Sequence, residues 1–251
     1  MVRNFLNLSS KECLDIYQEL IDNSNRHFLI ALKIAENKEF GIAISHLILG
    51  TEELVKGIII FLDGNGLEIR KVQGIKNFFK NHIIRHYFSG SFSLIASILI
   101  PFTNFMETLK EKINFPDNYP VKSDFELAIL NNDKMKIKEL SNNYVHENIE
   151  KYKDRFSSYL DFWSNAETKK QRGFYVDYEN QLYLPKQISE TEYSIALQIT
   201  NSFRQDCTDL IKYVSSLSII EKQSISKEIN SLNAFYNIFE VFTTLDYNSK
   251  I

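Results

Sequence analysis

His82, Arg85 and His86 stand at i, i+3 and i+4 in a stretch with helical apolar spacing. Those intervals put three ionisable side chains on one helix face. His82 and His86 also continue the stripe set by Val72, Ile75 and Phe79, where a packed helix would present hydrocarbon. Two imidazoles and a guanidinium on one face can move protons and hold a phosphate. The same pattern equally suits two hydrogen-bonded histidines beside a solvated arginine. The His82/His86 interval fits zinc, but neither an HExxH pattern nor a third ligand accompanies it, so no metal or cofactor is expected.

A second polar set interrupts the apolar stretch Phe40–Leu62. At about 100° per residue, His46, Glu53 and Lys56 fall near one stripe. Glu52 precedes Lys56 by four, the favoured order for a helix ion pair. Charges in such a helix must be paired or functional, because unpaired burial costs several kcal/mol. If the helices bearing the two sets pack antiparallel, Glu53 and Lys56 approach His82. The candidate catalytic set is then His82, Arg85, His86, Glu53 and Lys56. In that set His82 or His86 exchanges protons, Arg85 or Lys56 stabilises phosphate charge, and Glu53 orients the basic groups. Farther along, Lys170, Arg172 and Tyr175 are candidates to touch phosphate. Against that stands the reading of the basic residues as solvated surface and of the tyrosine as part of a small packed hairpin.

The elements that must position these groups are helices. Only 8 Gly and 4 Pro punctuate 251 residues, too few turns for a sandwich or barrel. Ser9 and Ser10 cap a first helix running to about Ala35, and a second covers about Phe40–Leu62, apolar nearly all round and hence central. Asp63-Gly64-Asn65-Gly66 ends it. A third helix is expected over Leu67–Tyr87, a break at Gly90, and a fourth helix through Leu94–Leu109 with Pro101 as a kink or split. Phe115–Pro120 reads as the clearest linker, followed by helices over Ser123–Asn131 and Asp133–Phe162. Aromatic and β-branched runs around Glu179-Asn180 are compatible with one small β-hairpin near 173–184. Ser189 and Glu192 form a capping box for a helix to about Ser218, and a last helix covers roughly Ile219–Leu245. The fold class is mainly α: a helical bundle over 1–114, a linker at 115–122, and C-terminal helices and hairpin over 123–251 packing into one compact domain.

A net charge of −3 argues against a surface that coats nucleic acid, though not against a local basic cleft. Cys13 and Cys207 have no metal or CxxC spacing and are expected reduced. The N-terminus carries no apolar signal run, and the apolar stretch Phe92–Phe102 is well short of the roughly 20 residues that span a bilayer. A cytoplasmic protein with no membrane partner is expected.

Three blocks carry a resemblance to a known family: Ala43-x-x-x-Leu47-x-x-Gly50-Thr51-Glu52-Glu53-Leu54-x-Lys56, then Phe78-Phe79-x-x-His82-x-x-Arg85, then Lys170-Gln171-Arg172-Gly173-Phe174-Tyr175-Val176-Asp177 with Pro185 and Ser189 beyond. In order and spacing they resemble the AbiV family of bacterial abortive-infection proteins, with Val55 where the family pattern has Gly. The resemblance implies a HEPN-like helical bundle, usually a homodimer, acting in growth arrest on phage infection. A phage-encoded activator and RNA or the translation machinery are the partners it implies. Many HEPN proteins are metal-independent ribonucleases with an Arg-x(4–6)-His motif. Arg26, Arg70 and Arg85 all miss that spacing, so a cleavage site here would be built instead from His82, Arg85 and His86. The alternative function is a non-catalytic dimer that arrests translation by binding a host or phage partner.

Overall fold

The computed structural model describes residues 4–72, 75–92, 124–151 and 153–231. Its chain divides into two compact units, one formed by 1–91 with 160–251 and the other by 92–159. The linker expected at 115–122 and the helix expected through Leu94–Leu109 lie outside the described residues. So does the last helix beyond Ser231.

The first unit is built around α2 (Phe40–Gly64), whose residues are buried on almost every side. α1 (Ser10–Glu36) starts at the expected capping box, with Ser9 and Glu12 satisfying each other's backbone N–H groups. It lies antiparallel along α2 on a seam of glycines seven residues apart. A Cβ at Gly50 would meet Phe28, one at Gly57 would meet Ile21, and one at Gly64 would meet Leu14. Each glycine thus receives a large side chain from the partner heptad, which brings the two backbones close. On its remaining sides α2 is covered by α8 (Ala166–Phe174) and α9 (Glu190–Ser216). Gly173 of α8 seats directly on Gly41 and Ser45, and Ser45 Oγ donates to the Lys170 carbonyl at 2.8 Å.

The single helix expected over Leu67–Tyr87 is broken. Asp63 carboxylate oxygens accept from the Arg70 backbone N–H at 2.9 Å and from its Nε at 2.7 Å, while Arg70 also donates to the carbonyls of Phe5 and Leu8. This buried pair bends the chain into the short 3₁₀ turn Ile69–Lys71, with Glu68 in the left-handed region at φ 55°. α3 (Ile75–Lys80) follows, and Asn81 then interrupts the helix, its Oδ1 accepting from the Ile83 N–H at 2.9 Å. An asparagine at this position is a preferred N-cap, and it starts α4 (residues 82–92) at His82. α4 runs through Gly90 without the expected break; Gly90 is needed there because a Cβ would meet Trp163 at 3.1 Å.

The second unit contains α5 (Asp124–Leu130) and α6 (Lys134–Lys151), with Phe125 and Ala128 buried. The one helix expected over Asp133–Phe162 is described as α6 and α7 (Lys153–Ser164), and the residues of α7 from Leu160 onward belong to the first unit. After α8, the hairpin is present as β1 (Asp177–Glu179) and β2 (Gln181–Tyr183), antiparallel, with Asn180 at the turn at φ 57°. Ser189 and Glu192 cap α9 as expected, and α10 is Ile219–Ser231. The architecture is mainly α, with this two-stranded ribbon the only sheet among the described residues. No described helix is long and apolar enough to cross a membrane.

Candidate functional site

Glu52 lies in the middle of the most apolar helix of the chain and is 3% exposed. Four cationic or imidazole groups converge on it. Its Oε1 accepts from Lys170 Nζ at 2.8 Å and from His86 Nε2 at 3.0 Å, and its Oε2 accepts from Arg85 Nη2 at 3.0 Å and from His82 Nδ1. Burial would push the carboxyl upward, but hydrogen bonds and charge from His86 and Lys170 outweigh it and hold Glu52 far below the usual carboxylate range. Glu52 is therefore an anion buried among donors.

Each donor is delivered by a different local device. α4 presents His82, Arg85 and His86 at i, i+3 and i+4 toward α2. Arg85 is buried and its Nη1 also donates to the Phe78 carbonyl at 3.0 Å, tying the end of α3 to the carboxylate. His86 is fully buried, and desolvation lowers its pKa against the pull of Glu52, so its neutral ring donates through Nε2. Lys170 arrives from α8 and bridges Glu52 to Glu167, whose Oε2 lies 2.7 Å from the ammonium. Glu167 is also shifted down, burial being outweighed by Lys170 and Gln171.

His82 differs from the others because its side chain is 53% exposed. Its Nδ1 faces Glu52 Oε2 and, at 2.7 Å, Arg85 Nη2, and its Nε2 sits on the opposite edge of the ring. That edge lines an open cleft of about 560 Å³ formed by Asn77, Lys80, Asn81, His82, Ile83, Ile84 and Glu167. The cleft also holds the first turn of α4, the positive end of that helix's dipole. The arrangement is a carboxylate–imidazole dyad whose second ring nitrogen lies beside a lysine and a helix N-terminus.

Glu52, His86 and Glu167 each offer one ligand atom, all within 4.8 Å of one another, and are the group among the described residues that could hold a metal ion. Lys170 already stands between the two carboxylates as a built-in cation, so a metal would have to displace it.

Of the residues singled out in the sequence, His82, Arg85, His86 and Lys170 meet at this carboxylate. Lys170 is buried rather than part of a solvated face. Glu53 and Lys56 are elsewhere. They pair with each other, not Lys56 with Glu52, on the side of α2 that faces α1. There they accompany His27 and His46, whose Nδ1 atoms are 3.0 Å apart and whose pKa values are lowered by burial. Arg172 lies over the Tyr183 ring at 4.3 Å, and Tyr175 is 61% exposed. Glu52, Glu167, Asn77 and Lys80 were not anticipated as site residues. The glycine interval of seven was the available signal for Glu52: it assigns Glu53 to the α1 seam and turns Glu52 away from it.

The model that matches this helical chain is one of the HEPN class. The family model described as AbiV matches residues 12–205, and the chain belongs to that family. No curated protein and no solved structure matches it.

Proposed function

We propose that this protein acts in abortive infection as a metal-independent endoribonuclease that arrests growth, with His82 as the proton-transferring group. The observation that carries the reading is the Glu52–His82 dyad at the mouth of the cleft. His82 takes the proton of a ribose 2′-OH at Nε2, and the 2′-oxygen forms a bond to phosphorus as the bond to the 5′-oxygen breaks. The imidazolium, stabilised by Glu52, returns the proton to that oxygen. Products are a 2′,3′-cyclic phosphate and a 5′-OH end. Lys80 and the first turn of α4 hold the phosphate. Arg85, His86 and Lys170 are positioning residues, since each is buried against Glu52. Such acid–base help is worth roughly 10²–10⁴ in rate. The active species is a cytoplasmic homodimer responding to a phage-encoded activator.

A second reading has its own support: three of the four donors to Glu52 are buried, as in a network that specifies a fold. On that reading the protein is a non-catalytic dimer that arrests translation through a partner, and Lys170, Arg172 and Tyr175 do not contact RNA. Mapping RNA ends in cells carrying wild type or His82→Ala, with and without phage, separates the two. New 5′-OH ends that vanish in the variant support the ribonuclease. Growth arrest with intact RNA, or cleavage unchanged by the substitution, sinks it in favour of the binder.

A further inference from the structure

A second polar cleft, about 420 Å³, opens away from Glu52 where α1 and α9 meet over α2. Arg204 of α9 lies in it, with its guanidinium flat over Phe28 at 4.3 Å. Its only hydrogen-bond partners among the described residues are two neutral amides, Asn201 Oδ1 and Asn25 Oδ1, each at 3.3 Å. The guanidinium is half-buried, and that burial draws it below its ordinary value with no described carboxylate paired to it. An anion entering the cleft would supply a counter-charge through the in-plane donors of the arginine.

The neighbours narrow the ligand. Because Asn25 and Asn201 turn their oxygens to Arg204, their NH₂ groups remain as donors at the cleft. Gln205 spends its Nε2 on Asp209, at 3.0 Å to both oxygens, which leaves Oε1 as an acceptor. Ile21, Leu54 and Ile211 supply apolar walls. A strong cation, paired amide donors and an acceptor between aliphatic walls suit a phosphate joined to a flat body with polar edges. We propose that this cleft binds a small nucleoside phosphate, with Arg204 on the phosphate and the amides on the base or sugar edges. The site uses none of the groups around Glu52 and stands whether or not the protein cleaves RNA.

Calorimetric titration of the full chain with AMP, adenosine and inorganic phosphate tests it. AMP should bind more tightly than either fragment, and Arg204→Gln should weaken it at least about tenfold, as expected for loss of a charge-assisted contact. Asn201→Ala, at an exposed position, should weaken AMP a few-fold and serves if Arg204→Gln does not fold. His82→Ala should bind AMP as wild type does. Absence of AMP binding by the wild type, or binding that survives both cleft substitutions in folded protein, overturns the site. AMP binding no tighter than phosphate overturns the nucleoside assignment, and loss of binding in His82→Ala moves the ligand to the other cleft.

Discussion

Glu52 compensates two buried cations at once, so its removal should damage more than the contact it makes. Glu52→Gln keeps the shape but leaves Arg85 and Lys170 buried against an amide. Breaking a buried pair by deleting one member costs about 3–5 kcal/mol. Replacing Glu52 and Lys170 together with apolar groups of similar volume leaves one stranded cation, Arg85, instead of two. We therefore expect Glu52→Leu with Lys170→Met to cost at least about 1 kcal/mol less than the two single changes added together. Urea unfolding of the four proteins measures this; strict additivity would mean that the Lys170–Glu52 contact carries no energy. At this scale the sequence was legible where a helix period repeats, since His82, Arg85 and His86 meet as their spacing requires. Glu52 was missed because adjacent residues on a helix diverge by about 100°, and only the glycine interval of seven on α2 tells Glu52 from Glu53. Lys170 was misread because Lys169-Lys170-Gln171-Arg172 looks like a solvated run. Only its period with buried Ala166 and Gly173 marks it as inward-facing.

The helices that carry these residues are spaced by glycine, and the two glycine contacts of α2 differ in kind. At Gly57 an added Cβ would meet the end of a flexible side chain, Ile21 Cδ1 at 2.8 Å. At Gly173 it would overlap Ser45 Oγ and the backbone carbonyl of Gly41, which cannot swing aside. Overpacking costs about 1–3 kcal/mol or more, while replacing a helical glycine with alanine returns up to about 1 kcal/mol. Gly57→Ala should therefore lose about 1 kcal/mol and Gly173→Ala about 3 kcal/mol, with Lys170 carried off Glu52 in the second case. Chemical denaturation orders them; a Gly173→Ala protein as stable as Gly57→Ala would show that α8 does not depend on this seat. The long helices were readable because capping boxes open α1 and α9 and an almost unbroken apolar run marks α2. The stretch after Gly66 was not: a tertiary pair, Asp63 with Arg70, bends the chain, and a single cap at Asn81 divides a pattern whose period runs straight through it.

Over the whole molecule, the resolved shifts of the buried groups set a stability window with two edges. His27, His46 and His86 are all held below their ordinary value of 6.5, so the folded chain keeps them neutral while the unfolded chain takes up protons. Their contribution is whole above about pH 6.5 and is lost as the pH falls below it. Glu52, depressed from 4.5, adds a further loss below that value, because the unfolded carboxylate is protonated first. At the other edge, burial raises Cys13 and Cys207 above 9.0 and Tyr193 above 10.0, so the unfolded chain releases protons first and stability declines as the pH rises through those values. Melting temperature should thus be flat between about pH 6.5 and pH 9 and fall on both sides. The acid edge is structural as well as thermodynamic. His27 and His46 share one hydrogen across the α1–α2 seam at 3.0 Å, and protonating both sets two cations face to face beside Lys56. Replacing both histidines with glutamine, which keeps a hydrogen bond without a titrating proton, should flatten the melting curve between pH 5 and pH 6.5 and leave the alkaline edge where it was. An unchanged acid edge in that double variant would assign the whole of it to His86 and its carboxylate.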